Sequence, residues 1–124
     1  LFDIDLFKQV NDHFGHNVGD MVIRKVAQTM LATVRQSDVI CRWGGEEFLV
    51  LLPDCDGLAA SVLGEKIRAA VAALDIQANG ETIAITLSGG VAEYQSEGSV
   101  VLLNRADQAL YRAKAVGRNR LVMA

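Results

Sequence analysis

Apolar residues recur along this chain at two spacings, and each spacing predicts a different kind of secondary structure. A recurrence every three or four residues, with polar residues between, is typical of a helix that buries one face. Asp5 is a suitable N-cap for the first segment of this kind, and Gly15 is a suitable end for it. The predicted helices are Leu6–Phe14, Gly19–Gln36, Leu58–Leu74 and Val100–Val116.

Shorter apolar runs bounded by glycine or proline predict strands. Gly44-Gly45 separates two of these runs, which predicts a β-hairpin with a tight two-residue turn. Another run follows Gly80 and is interrupted by Gly89-Gly90. The predicted strands are Leu1–Asp5, Val39–Trp43, Glu46–Leu52, Thr82–Ala92 and a short Arg120–Met123.

The order of these elements predicts the fold class. A hairpin between two helices favours an α+β fold of the ferredoxin-like kind, with a mainly antiparallel sheet and helices on one face. The alternative is a doubly wound parallel sheet. It would need a crossover connection where Gly44-Gly45 leaves no room for one. The length of 124 residues suits a single domain.

Composition narrows the classes of function. The chain is 51% hydrophobic and 22% charged, which predicts a packed core. Its net charge of −3 argues against a nucleic acid polymer as partner, although not against a single nucleotide. Cys41 and Cys55 lack metal-site spacing and predict two free thiols, which fits the reducing cytoplasm. No apolar run is long enough to cross a membrane. Leu1 already lies inside the apolar and acidic pattern of the first predicted strand, so we expect the sequence to be a piece of a longer protein.

Four carboxylates are candidates for a metal site. Asp3 and Asp5 are two residues apart on a predicted strand and therefore share a face. Glu46 and Glu47 begin the second strand of the hairpin. We expect this hairpin to neighbour the strand Leu1–Asp5 in the sheet. Carboxylates gathered there would repel one another unless a cation such as Mg²⁺ lay between them. The alternative is purely structural. Asp3 and Asp5 would be a solubility pair at a strand end and a helix cap, and Glu46 and Glu47 would lie on an exposed turn.

Several other polar residues have structural explanations as well as functional ones. Lys8, Lys114 and Arg118 could bind phosphate, but Lys114 and Arg118 also suit a helix C-terminus. Arg35 and Asp38 read equally well as a helix end and the turn after it. Zinc is not favoured at His13 and His16, because no further soft ligand is well placed beside them. The remaining polar residues, near helix ends or a loop, are Asn11, His13, His16 and Asp20.

Gly44-Gly45-Glu46-Glu47-Phe48 resembles the signature of the GGDEF domain, the diguanylate cyclase family, in its GGEEF form. The resemblance covers essentially the whole chain and implies one domain over residues 1–124, without the family's N-terminal helix and upstream sensory or receiver domain. It also implies a fold similar to polymerase palms and nucleotidyl cyclases. Three further stretches carry it: FDIDLFKQVNDHFGHNVGD from Phe2, ITLSGGVA from Ile85 and ADQALYRAKAVGRNR from Ala106.

The family joins two GTP molecules into cyclic di-GMP and releases two pyrophosphates. The resemblance therefore implies a bacterial cytoplasmic enzyme that needs Mg²⁺, or Mn²⁺ in its place. It works as a homodimer in which each domain holds one GTP, and cyclic di-GMP inhibits it. Two alternatives stay open. One is a module that binds GTP or cyclic di-GMP without turnover, and the other is a relative that makes a different cyclic nucleotide.

By matching positions, the resemblance assigns catalytic roles to Asp3, Glu46 and Glu47. Asp3, Glu46 and the backbone carbonyl of Ile4 would bind the metal. Glu47 would be a further metal ligand or would help to deprotonate the ribose hydroxyl. Asp5 keeps its predicted role as a helix cap.

The resemblance also assigns binding residues. Asn11 and Asp20, with His16 nearby, would bind guanine, because a carboxylate can accept from its N1–H and N2–H groups. Gly44 and Gly45 would let the triphosphate approach the backbone. The residues assigned to phosphates are Leu6, Phe7, Lys8, Lys114 and Arg118. The residues assigned to an inhibitory cyclic di-GMP site are Arg35 and Asp38, completed by Lys66 or Arg68.

Overall fold

A five-stranded sheet forms the centre of the fold in the computed structural model, which describes residues 1–124. Two further strands form a separate ribbon. The strands are β1 (Phe2–Ile4), β2 (Val39–Arg42), β3 (Glu47–Leu51), β4 (Ile76–Ala78), β5 (Glu81–Ile83), β6 (Leu87–Val91) and β7 (Leu121–Met123).

The strand order in the sheet is β2-β3-β1-β6-β7, and β4 pairs with β5 in the ribbon. Only the β6–β7 pair is parallel; the other pairs in the sheet are antiparallel. This topology confirms the predicted α+β class with a mainly antiparallel sheet. It also places β1 in the centre, between β3 and β6, where both of its edges are paired.

Helices cover both faces of the sheet, so the prediction of helices on one face is wrong. Consecutive residues of β6 show this, because neighbouring strand positions face opposite sides. Gly89 faces Phe2 and Leu121, on the side of Gly64 in the third helix, whereas Gly90 faces the backbone of the fourth helix. The helices are α1 (Phe7–Phe14), α2 (His16–Thr33), α3 (Gly57–Ala72) and α4 (Ser99–Ala115).

Two other boundaries differ from the predictions. The helix α2 begins at His16, directly after Gly15, and not after Gly19. The predicted strand Thr82–Ala92 is divided into β5 and β6, and β4 was missed. The missed signal is Asn79-Gly80, whose φ angles of 53° and 77° suit the tight turn that joins the two strands of the ribbon.

The main core lies between the sheet and the pair α2 and α3. Phe48, Ile4 and Leu87 of the sheet are buried there against Met30 of α2 and Ile67 of α3. Burying each of these side chains contributes about 1.5–3 kcal/mol of hydrophobic stabilisation. No helix combines the length and the apolar character that crossing a membrane requires.

Candidate active site

The candidate site lies on the face of the sheet that α4 covers. Asp3 of β1 is paired directly with Glu47 of β3 on one side and with Ser88 of β6 on the other. Directly paired residues point to the same face, so the two carboxylates are neighbours. The Nζ atom of Lys114 in α4 lies 3.0 Å from Oδ2 of Asp3. The structure therefore brings together two of the predicted catalytic carboxylates and one of the predicted phosphate-binding cations.

Burial and repulsion both act on these carboxylates. Burial raises the pKa of Asp3, Lys114 opposes that shift through its hydrogen bond and charge, and Glu46 adds repulsion. Burial also raises the pKa of Glu47, and the charge of Asp3 raises it further. The charge of Lys114 therefore acts on both Asp3 and Glu47, and the charge of Glu46 repels both. The chemistry of this donor set fits a divalent cation, which would stabilise the ionised forms.

The hairpin tip is longer than predicted, so the expected two-residue turn is wrong. The N–H groups of Trp43 and Gly44 both donate to the carbonyl of Glu47, at 2.8 and 3.3 Å. Neither glycine of the tip has the positive φ angle that a tight hairpin turn of the favoured types requires. As a result Glu46 lies in the loop between β2 and β3, and β3 begins at Glu47.

This longer tip changes which glutamate faces Asp3. The resemblance assigns Asp3 and Glu46 to one metal, whereas the residue paired directly with Asp3 in the sheet is Glu47. Glu46 is held by its backbone, because its carbonyl accepts from the N–H of Ile4 at 3.1 Å. The three carboxylates do not converge as a metal-ligand cluster, and Lys114 contacts Asp3 instead.

Arg42 stabilises the tip, a role that no local pattern in the sequence indicates. Its Nε and Nη2 atoms lie 3.1 and 2.7 Å from the carbonyl oxygen of Gly45. This two-pronged contact ties the end of β2 to the middle of the loop. It restricts the backbone directly before Glu46.

Asp5 does not cap α1, so that prediction is wrong. The N-cap residue is Leu6, whose φ of 56° is left-handed and which makes no side-chain cap. The Asp5 carboxylate accepts instead from the hydroxyls of Thr86 and Ser88, at 2.7 and 2.6 Å, and from the N–H of Asn119 at 3.0 Å. Strand alternation explains this, because Asp5 shares a face with Asp3 and lies beside the β6 strand.

The start of α1 exposes backbone donors. The first N–H groups of a helix have no partner within it, and no side chain caps this one. Phe7 is buried and anchors the turn, whereas Leu6 and Lys8 are exposed. Three of the five residues assigned to phosphate binding, Leu6, Phe7 and Lys8, therefore form one short segment with free donors and one cation.

Asn11 is held in close contact with α2. Its Oδ1 atom is buried and has no hydrogen-bond partner. A Cβ atom at Gly19 would lie 1.8 Å from that oxygen, so a larger residue there would displace the Asn11 amide from this position. Asp20 follows Gly19, and both Asp20 and His16 are exposed on α2. The residues assigned to guanine thus lie where α1 packs against α2.

His13 has a different environment. Its Nε2 atom lies 3.2 Å from Oε2 of Glu81 in β5, and its ring contacts Phe14 edge-on. No cluster of three metal-ligating side chains surrounds it. Cys41 and Cys55 are free thiols, as predicted.

The candidate inhibitory residues come from two parts of the chain: Arg35 and Asp38 lie between α2 and β2, and Lys66 and Arg68 lie on α3. Arg35 donates to Asp38 through its backbone N–H and its guanidinium, at distances from 2.8 to 3.2 Å. This contact lowers the pKa of Asp38. Arg68 instead contacts Glu65 and Asn119, next to β7. Lys66 is exposed on the same helix as Arg68.

Comparison with known proteins identifies the family. The family described as "Diguanylate cyclase, GGDEF domain" matches residues 1–120. This chain belongs to that family. The GGDEF domain is 46% identical over 125 residues to the diguanylate cyclase DgcP of Pseudomonas aeruginosa, covering 100% of this chain and 19% of DgcP. It spans 19–34% of the length of the first curated relatives that it matches.

Solved structures agree with this assignment. The diguanylate cyclase SiaD of Pseudomonas aeruginosa, in complex with its activator SiaC, is 42% identical with a TM-score of 0.96, covering 99% of this GGDEF domain and 48% of SiaD. The GGDEF domain of DgcB from Caulobacter crescentus, in complex with c-di-GMP, is 37% identical with a TM-score of 0.94, covering 98% and 74% of the two chains. The likeness confirms the predicted family and fold.

The Asp3→Asn variant is expected to melt about 2–5 °C higher than the wild type at pH 7 without divalent cations. The raised pKa of Asp3 means that its ionised form is disfavoured by folding. That carboxyl stabilises the fold below its unfolded pKa of about 4, and this contribution is lost as the pH rises through the folded pKa. The gain from asparagine should therefore shrink towards pH 4. Thermal melts at both pH values, with EDTA, test this; a lower melting temperature at pH 7 would contradict it.

Proposed function

We propose that this domain condenses two GTP molecules into cyclic di-GMP with release of two pyrophosphates. The observation that carries the proposal is the paired Asp3 and Glu47 beneath Lys114, at the centre of the sheet and beside the GGEEF loop. Acidic groups with raised pKa values and one cation suit a site that binds a metal together with a triphosphate.

Asp3, Glu46 and Glu47, with the carbonyl of Ile4, would hold Mg²⁺, or Mn²⁺ in its place. The bound metal would act as a Lewis acid at the attacked α-phosphate and favour loss of the ribose 3′-hydroxyl proton. Alternatively, Glu47 would accept that proton and not bind the metal. Its raised pKa brings it closer to the range in which a carboxylate works as a general base near neutral pH.

Substrate binding would use three further regions. The uncapped first turn of α1, from Leu6 to Lys8, would donate backbone hydrogen bonds to phosphate oxygens. Lys114 and Arg118 would bind the terminal phosphates. Asn11 and Asp20, with His16 nearby, would bind guanine; the buried Asn11 oxygen without a partner supports this, since an amide in that position has hydrogen-bonding capacity left over.

Each domain would bind one GTP, so two domains must face each other for the reaction. The test is a product assay with the purified chain, GTP and Mg²⁺, analysed by mass spectrometry over a range of protein concentrations. Cyclic di-GMP should form at a rate that rises more steeply than the protein concentration, and excess ATP should not compete. Tight GTP binding without pyrophosphate release would sink the proposal in favour of a non-catalytic nucleotide-binding module.

Product inhibition is also proposed, through the Arg35–Asp38 pair and either Lys66 or Arg68. The Arg35→Ala variant is expected to raise the cyclic di-GMP concentration for half-inhibition by about 10–100-fold, since charge-assisted guanidinium contacts are worth about 1.5–3 kcal/mol. Inhibition curves for Lys66→Ala and Arg68→Ala show which residue completes the site.

A matched control for that series is Arg24→Ala, which removes an exposed arginine of α2. It should leave the inhibition curve unchanged. If Arg35→Ala behaves like Arg24→Ala, the Arg35–Asp38 pair has only a structural role.

A further inference from the structure

Asp5 is a buried carboxylate near the site, and the proposed reaction does not use it. Its residue is 7% exposed, and Asp3 of the same strand region is 6% exposed. Asp3 contacts the ammonium of Lys114, but Asp5 has no lysine or arginine partner. All its hydrogen bonds come from neutral donors: the Thr86 and Ser88 hydroxyls and the N–H of Asn119. Burying a charged group is costly unless hydrogen bonds offset the lost hydration, so these three contacts are what makes the burial of Asp5 tolerable.

One of those contacts holds an unusual turn. Gly117, Arg118 and Asn119 have φ angles of 128°, 61° and 49°. Two consecutive residues other than glycine in the left-handed region persist only when their surroundings hold them there. Two of the bonds in the turn are local, from Arg118 N–H to the Ala113 carbonyl and from Arg120 Nε to the Arg118 carbonyl, each 3.0 Å.

Three contacts tie this turn to the rest of the fold. The Gly89 N–H of β6 donates to the Arg120 carbonyl at 2.9 Å, and Nη1 of Arg68 in α3 donates to Oδ1 of Asn119 at 2.6 Å. The bond from Asn119 N–H to Asp5 is the one that ties the turn to the end of β1. Both local bonds would move with α4 and the turn together, so neither fixes the turn relative to β1. The Asn119 N–H donates to Oδ2 of Asp5, which also accepts from Thr86, while Oδ1 accepts from Ser88. One carboxylate thus joins three segments: the end of β1, the start of β6 and the turn after α4.

Arg118 occupies the middle of that turn. It is exposed, and the structure gives its guanidinium no ion pair. Its side-chain direction therefore depends on its backbone. The local bonds hold that backbone to α4, and the Asn119 bond to Asp5 holds the next residue to the end of β1. Lys114 lies one helical turn earlier, where its contact with Asp3 holds it.

We propose that Asp5 is a positioning residue that holds the turn after α4 so that Arg118 faces the terminal phosphates of the nucleotide. This inference rests on the proposed function, in which Arg118 binds those phosphates. Asp5 itself touches neither the nucleotide nor the metal.

The test compares two ligands with the Asp5→Asn variant. One is a GTP analogue with a methylene group between the α- and β-phosphorus atoms, which cannot be turned over, and the other is GMP, which lacks the terminal phosphates. Asparagine keeps the shape, but its neutral amide oxygen is a weaker acceptor than a carboxylate oxygen, so the Asn119 bond weakens. Calorimetry should show that affinity for the analogue falls about tenfold or more while affinity for GMP stays within twofold. Hydrogen exchange in residues 117–121 should become faster, which needs no ligand at all.

A double-mutant cycle with Arg118→Ala separates positioning from a general structural effect. Asp5→Asn should lower the affinity for the analogue by less than twofold when Arg118 is already absent. An equal loss in both backgrounds, or an equal loss for GMP and the analogue, would overturn the proposal. Asp75→Asn, which makes the same change at an exposed site, is the control. If Asp5→Asn fails to fold, the same binding measurements on Thr86→Val test the proposal, because that variant removes the hydroxyl that donates to Asp5. We expect a two- to fivefold loss of preference for the analogue over GMP.

The wild type separates failure of this inference from failure of the proposed function. A wild type that does not prefer the analogue over GMP would overturn the terminal-phosphate role of Arg118, and the inference with it. A clear wild-type preference that Asp5→Asn retains would overturn only the role of Asp5.

Discussion

The Glu46→Gln variant is expected to lose cyclic di-GMP formation by about a thousandfold or more while its melting temperature stays within a few degrees of the wild type. The side chain lies in the loop and not in a strand, so the change removes a charge without disturbing the sheet. In the proposed reaction that charge holds the metal. Glutamine keeps the size and polarity of glutamate but is a much weaker ligand for a hard cation.

The experiment needs a matched control and a fold check. Glu81→Gln makes the same change on an exposed residue of the ribbon, whose contact is with His13. Product formation by mass spectrometry and thermal melts would be measured for both variants. Turnover by Glu46→Gln at the wild-type rate would show that the metal assignment is wrong, and Glu47, which is paired with Asp3, would become the leading metal ligand.

The Gly90→Ala variant is expected to lose about 3 kcal/mol or more of unfolding free energy. A Cβ atom at this position would lie 2.1 Å from the Ala106 carbonyl oxygen and 2.5 Å from the Leu110 backbone nitrogen. Both atoms belong to the backbone of α4, so no rotation of a side chain can relieve the overlap. The helix must move away from the sheet, and Lys114 must move with it.

Urea and thermal unfolding measure this effect, and it should reach about 10 °C in melting temperature. Gly98→Ala is the control, because a Cβ there meets nothing within 4 Å and its backbone has the ordinary φ of −68°. That variant should change stability by less than about 1 kcal/mol. Equal stability of the two variants would contradict the close approach of α4 to β6.

Local patterns in the sequence were enough to predict the class of the fold. Helical spacing and glycine punctuation predict the four helices, the hairpin and the α+β arrangement, because burial of one face imposes a period that the sequence must carry. The motif around Gly44-Gly45-Glu46-Glu47-Phe48, with three further stretches, was enough for the family. The role of each site residue remains a proposal from that resemblance.

Register and pairing were decided only by the tertiary structure. The sequence places Glu46 and Glu47 side by side, but which of them faces Asp3 depends on the number of residues in the loop, and one residue of register moves a side chain to the other face. The packing of α4 on the face of the sheet opposite α3 is likewise known only from the tertiary structure, in which Gly90 lies against the backbone of α4.

The role of Asp5 shows the same division. From the sequence, an aspartate directly before a helix is most simply a cap, since capping is a local interaction. The donors that Asp5 actually meets are more than 80 residues away in the chain, at Thr86, Ser88 and Asn119. The sequence by itself determined the elements, the fold class and the family, because these follow from local periodicity and contiguous motifs. Only the tertiary structure decided which polar groups meet, because those contacts depend on register and on helix packing between distant segments.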